Sequence, residues 1–270
     1  MKNLRQKLGH LNWLNSMGVE YYCSTQKDSK TSLIDYTIAE NETNALPTIK
    51  LPLITKEMAV QQKEPLNPSD NPAYLEARKL ADKATSLADL KGYVENFQGC
   101  ELKQFSNNTV FADGNPNAEI LLIGEAPGST EDEEGIPFCG ESGKLLDSML
   151  NTIGISRAQN AYITNTVFWR PPANRRPTNE EINLCKPFVE KHIALIKPKL
   201  RILVGNTATI SLLGKKEGIT QIRQNNYSYT NQYLSKPIIT TALFHPAYLL
   251  RQPMQKKATW FDLLKIKKLL

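Results

Sequence analysis

Across the second half of the chain, short apolar runs alternate with longer stretches of helical period. Four runs stand out: ILLI from Ile120, AYI from Ala161, RILV from Arg201 and PIITTALF from Pro237. Each ends in a small polar cluster, in turn GEAPG, TN, GNT and HPAY. Apolar runs this short and continuous, spaced by helical segments, predict parallel strands buried on both faces of an α/β sheet. One connecting helix is legible in detail. Thr178 and Glu181 form a capping box after Pro177, and Ile182, Cys185, Val189, Ile193 and Ile196 then fall on a single apolar stripe. Cys185 is therefore expected to face a core. Ligands of an open parallel sheet sit beyond the carboxyl ends of its strands, where the polar clusters gather. Glu125, Asn165, Asn174 and His245 are expected to share that pocket.

The first 72 residues follow a different pattern. Leu4, Leu8, Leu11 and Leu14 have helical spacing and predict a short amphipathic helix. Residues 41–72 carry scattered prolines and no sustained period, which reads as a mobile linker. From Asn71 the stretch YLEARKLADKATSLADLKGYVENF reads as helical. The chain thus divides into an extension over residues 1–72 and a domain over 73–270, with no internal repeat.

Charge sharpens this picture. Residues 1–70 carry 8 basic and 8 acidic side chains, residues 71–150 carry 6 and 14, and residues 151–270 carry 19 and 5. The last section is therefore +14 within a chain of net charge +6. Such a surplus favours a polyanionic partner, since each Lys or Arg that meets a phosphate releases a counterion. No stretch approaches the roughly 18 apolar residues of a membrane span, and the polar start lacks a secretory apolar region. A cytoplasmic protein with no membrane partner is expected. The four cysteines, Cys23, Cys100, Cys139 and Cys185, contain no C-x-x-C and give neither a disulfide framework nor a spaced zinc site.

The pocket chemistry narrows by exclusion. GEAPG lacks both the G-x-G-x-x-G of a dinucleotide loop and the G-K-[ST] of a P-loop. No G-x-S-x-G elbow is present, and Cys139 has no nearby basic partner in sequence. With three histidines in all, a His-rich metal site is disfavoured. A polar, metal-free pocket on a basic domain remains.

The ordered set GEAPGSTED, G-I-P-F-C-G, Y-I-T-N, W-R-P-P-A-N-R, G-I-T-Q-I-R and H-P-A-Y-L-L-R resembles the family 4 uracil-DNA glycosylases over roughly residues 95–265. The resemblance implies a three-layer αβα sandwich with a four-stranded parallel sheet. It also implies a monofunctional enzyme that flips uracil from DNA and hydrolyses its glycosidic bond in base excision repair, at the nucleoid. On that likeness Phe138 stacks on the extruded base. Asn165 discriminates uracil from cytosine, giving a hydrogen bond to O4 and taking one from N3–H. His245 donates to O2 as charge builds on the leaving uracil. Glu125 lines the pocket or orients the attacking water, and Asn174 is a second candidate for the water. Ala126 lines the substrate pocket at the position where related enzymes with G-Q-D-P-Y place a water-activating aspartate. Ser142, Arg170, Arg175 and Arg251 are expected at DNA, with Leu249 and Leu250 as an apolar wedge. The acids 131–134 read mostly as a solvated loop.

One departure stands against these matches. The family's iron-sulfur cluster takes four cysteine thiolates, and the corresponding positions here are Phe97, Cys100, Trp169 and Cys185. The chain is similar to a cluster-less branch associated with alphaproteobacteria, so no cofactor is expected and the two aromatics are expected to fill the cluster's space. Two other readings stay open: a catalytically weak DNA-binding module tied to a replication protein, and a glycosylase for another deaminated base. A monomer is expected, with the extension available to a replication or repair protein.

Overall fold

The computed structural model describes residues 71–215 and 217–270. The helix expected over residues 4–14 lies outside the described residues, as does the expected linker up to residue 70. The linker's last two positions already belong to the domain. Asn71 caps the first helix, α1 (Pro72–Lys83), by accepting the Ala73 N–H at 2.9 Å, and Pro72 occupies the first turn, where no N–H is needed.

The stretch read as helical from Asn71 is helical and divides into two helices. Ser86 and Asp89 form a capping box that starts α2 (Leu87–Asn96) anew after a break at Ala84. Then follow α3 (Leu102–Phe105), β1 (Asp113–Gly114), β2 (Ile120–Gly124), α4 (Ser129–Glu134), α5 (Glu141–Asn151) and β3 (Ala161–Asn165). A 3-10 turn at Pro172–Asn174 leads to α6 (Asn179–Ile196), β4 (Leu200–Val204), α7 (Asn206–Leu213), α8 (Ile219–Ile222), β5 (Tyr227–Tyr229), β6 (Ile238–Leu243), α9 (Pro246–Arg251) and α10 (Gln255–Lys267). Helix α6 begins on the expected Thr178–Glu181 box, and all five residues of its stripe are buried.

Among the described residues the sheet has six strands in the order β1-β3-β2-β4-β6-β5. Its centre is the expected parallel set of four, β3-β2-β4-β6, and β1 and β5 add short antiparallel edges. These edges span two and three residues, held by backbone pairing and too short to show an alternation. Side chains of the central strands go to opposite faces in turn. Leu121, Ile123 and Leu203 join one core, shared with α1, α2 and α6. Ile120, Leu122, Ile202 and Val204 join the other, shared with α5 and α10. The result is the αβα layering expected of the sequence. In the register of β2 and β3, Gly124 pairs with Asn165, so the two strands end level. The chain leaves β2 for β3 on one side and later returns to β4 on the other, which makes the end of β2 the topological switch point.

Candidate active site

A pocket of about 740 Å³ opens at that switch point. Its walls include Glu125, Ala126, Phe138, Ser142, Asn165, Asn174, Arg175, His245 and Arg251, so nine of the sequence-predicted residues meet in one cavity. Arg170 is not among the lining residues but donates to one of them, Asn174, and Leu249 has no exposed surface at all, being packed in the core shared with α5 and α10. The expected wedge pair is thereby reduced. Helix α9 turns Leu249 inward and leaves Leu250, 44% exposed, as the member that faces outward.

Asn165 ends β3 with 1% of its surface exposed, and neither Oδ1 nor Nδ2 has a hydrogen-bond partner among the described residues. A buried amide left unpaired costs roughly 1–3 kcal/mol, so a ligand that pairs both atoms recovers that penalty. Beside it lies Phe138 in the left-handed region at φ 53°, a conformation that costs a non-glycine residue about 1 kcal/mol or more. Arg157 holds the strained turn. Its guanidinium donates to the carbonyls of Pro137 at 3.0 Å and Phe138 at 2.8 Å, and pairs with Asp113 and Asp147. The approach of Phe138 to Asn165 depends on glycine at position 124, where a Cβ would lie 2.5 Å from both the Phe138 ring and Asn165 Oδ1.

His245 is the N-cap of α9, and its Nδ1 accepts the Ala247 N–H at 3.2 Å. Burial, followed by the nearby Arg251 charge, pushes its pKa down to about 4. The ring is therefore neutral at pH 7, and with Nδ1 accepting, the proton sits on Nε2. Its centroid is 5.6 Å from that of Phe138. Gly205, at φ 94°, lets the end of β4 come against the imidazole, since a Cβ there would stand 3.0 Å from His245 Cβ.

Glu125 follows β2. Its carbonyl accepts the Thr166 hydroxyl at 2.5 Å, and its carboxylate Oε2 accepts the hydroxyl of Thr207 in the first turn of α7. Asn174 also has positive φ, and its Oδ1 accepts Arg170 Nε at 2.7 Å. Arg175 is paired through both terminal nitrogens with Glu181, at 2.6 and 2.9 Å. Glu131 bridges two loops of the pocket, taking the Gly128 N–H at 3.1 Å and the Gly140 N–H at 2.9 Å. The acids at 131–134 are not the expected loop: they end helix α4, and Asp132 is buried, accepting from Asn107 and Asn108. Sequence reading did not find Gly124, Arg157 or Thr207 as site residues. Their partners lie far away along the chain, and only the G in GEAPG and the T in GNT hinted at two of them.

A profile of the Uracil DNA glycosylase superfamily matches residues 111–265. A type-4 uracil-DNA glycosylase of Sulfurisphaera tokodaii is 40% identical over 189 residues, covering 68% of this chain and 84% of that protein. Type-4 uracil-DNA glycosylases of Archaeoglobus fulgidus (36% over 183 residues, 67% and 92% covered) and Thermotoga maritima (40% over 159 residues, 58% and 80% covered) are similar in the same way. The chain belongs to the uracil-DNA glycosylase superfamily and, within it, to the type-4 family.

The positions corresponding to that family's cluster ligands lie together in the core shared with α6. Phe97 and Trp169 face each other at 6.5 Å between centroids, and Phe97 meets Phe188 edge-on at 5.2 Å. Cys100 and Cys185 are both buried there, and the neighbouring Cys100 thiol together with burial pushes the Cys185 thiol well above the usual range. A cluster of this kind takes four thiolates. The two aromatics have no ligand atom to give, so the residues present do not fit it.

Proposed function

We propose that the protein is a monofunctional uracil-DNA glycosylase that hydrolyses the bond between uracil and deoxyribose in DNA. The observation that carries this is the buried, unpaired Asn165 amide beside the Phe138 ring and the Nε2–H of a neutral His245. Phe138 stacks on the flipped base, whose extraction costs a few kcal/mol. Asn165 Nδ2 donates to uracil O4 and Oδ1 takes N3–H; cytosine offers the reverse pair at those positions and would leave the amide unpaired. As the bond from N1 to C1′ breaks, its electrons pass to the uracil ring. The His245 Nε2–H donates to O2 and stabilises the charge there more in the transition state than before it. Water adds to C1′ and loses a proton, leaving an abasic site and free uracil. Ser142, Arg251 and Leu250 meet the DNA at the pocket's rim, and Ala126 leaves room for the base.

The enzyme works without an iron-sulfur cluster, because aromatic packing replaces two of the four ligands. Purified protein is expected to be colourless and free of iron, and a brown protein with visible absorbance would contradict this. It acts as a monomer, and the extension that precedes α1 is available to a replication or repair protein. The deciding test is incubation with a uracil-containing oligonucleotide followed by alkaline cleavage of abasic sites. Cleavage by the wild type and at least a 100-fold smaller rate for Asn165→Ala are expected. Equal rates for the two would remove the reading.

A further inference from the structure

Two side chains at the pocket wall were candidates for handling the attacking water, and their hydrogen bonds separate them. Asn174 Oδ1 is taken by Arg170 Nε, which can only donate. The amide therefore turns its Nδ2–H toward other partners, and an amide is no base at neutral pH. Glu125 differs. Its Oε2 is engaged by the Thr207 hydroxyl, while Oε1 makes no hydrogen bond with any of the described residues. Its backbone is fixed as well, through Thr166 Oγ1 and the Val167 N–H, both directed at the Glu125 carbonyl. Thr207 in turn is carried by the first turn of α7, an element anchored by the buried Ala208, Thr209 and Leu212. One carboxylate oxygen is thus tied to a rigid helix and the other is left for the pocket.

We propose that Thr207 is a positioning residue of the glycosylase reaction: by donating to Glu125 Oε2 it fixes the carboxylate so that Oε1 takes the proton of the attacking water. The inference rests on the uracil-excising reading above. In the step itself, the water oxygen bonds to C1′ as the bond to N1 breaks. The N1–C1′ electron pair leaves with uracil, and one water proton passes to Glu125 Oε1. The hydroxyl remains on C1′ of the abasic sugar, and the proton later returns to solvent. Asn174 Nδ2–H contributes a hydrogen bond to the water oxygen and takes no proton. A freely rotating carboxylate would spend much of its time in other rotamers, and a well-placed reacting group contributes far more than a mobile one.

The test is single-turnover excision from a uracil-containing oligonucleotide at saturating enzyme, for wild type, Thr207→Val, Thr207→Ser, Glu125→Gln and the double variant Glu125→Gln/Thr207→Val. Binding is followed separately with an oligonucleotide carrying 2′-fluoro-2′-deoxyuridine, whose glycosidic bond resists hydrolysis. The expected result is a roughly 10- to 100-fold slower rate for Thr207→Val with binding changed less than about 3-fold. Thr207→Ser, which keeps the hydroxyl, should restore most of the rate. The double variant should be no slower than Glu125→Gln alone, because the hydroxyl acts only through the carboxylate. A Thr207→Val rate equal to wild type overturns the proposal, as does a further loss in the double variant or a serine variant as slow as valine. If Thr207→Val fails to fold, the serine variant and the comparison with Thr207→Ala on the Glu125→Gln background still decide. Wild type that excises no uracil would instead overturn the functional reading, and this inference with it.

Discussion

Replacing Gly124 is the sharpest test of how closely the pocket walls are set. The Cβ of an alanine would sit 2.5 Å from the Phe138 ring and from Asn165 Oδ1, so one of them has to move. Misplacing a group by about 1 Å costs on the order of 100-fold in rate. Gly124→Ala is expected to lose at least that much excision activity while its circular dichroism stays that of the wild type. A second buried imidazole, His192, serves a different end. It stacks on Phe111 at 4.4 Å, bonds the Tyr162 hydroxyl at 3.0 Å, and is held by burial at a pKa of about 3. Between about pH 6.5 and about 3 the unfolded chain carries a proton on this ring and the folded chain does not, so stability falls as pH falls through that window. His245 contributes in the same direction between 6.5 and about 4. In His192→Phe the loss of stability from pH 6.5 to 4 should be visibly shallower in urea titrations. At pH 7 the variant should give up about 1 kcal/mol through the unpaired Tyr162 hydroxyl. An identical slope in both proteins would contradict the assignment.

Among the elements, the clearest substitution of one kind of cohesion by another is at Phe97. Its ring meets both Trp169 and Phe188 at full burial, joining the end of α2 to α6. Phe97→Ala is expected to cost about 3–5 kcal/mol in denaturant unfolding, with no change in iron content, which metal analysis of both proteins checks. The four central strands were readable because each is a five- or six-residue run buried almost throughout. The α6 stripe was readable because 18 residues give its period room to repeat. Six-residue α9 offers no such period, which is why Leu249 and Leu250 looked alike until their faces were seen. The break between α1 and α2 is marked in the sequence by Ser86 and Asp89, inside a stretch whose other residues are helical in character. At the site, Asn165 and His245 announced themselves by their place after apolar runs. Arg157 did not, because it acts through partners 10 to 44 positions away, two of them backbone carbonyls that leave no mark in a sequence.

For the molecule as a whole, the uneven charge is the property that matters at DNA. Residues 151–270 carry 19 basic and 5 acidic side chains, and Arg251 stands exposed at the pocket's mouth. Binding to uracil-containing DNA should weaken linearly in log Kd against log salt, and Arg251→Ala should reduce that slope by about 1. Arg175→Ala should change it less, since Glu181 already occupies both terminal nitrogens of its guanidinium. Equal slopes for wild type and Arg251→Ala would place Arg251 away from the phosphates.

The imidazole at the pocket wall is also the first peg of a short helix, with one nitrogen latched onto that helix's own backbone. A six-residue coil frays easily on warming. When its end opens, the ring loses both its aim and the lock on its tautomer, although the sheet beneath is untouched. Heat should therefore silence this protein some degrees before it melts, and cooling should bring it back.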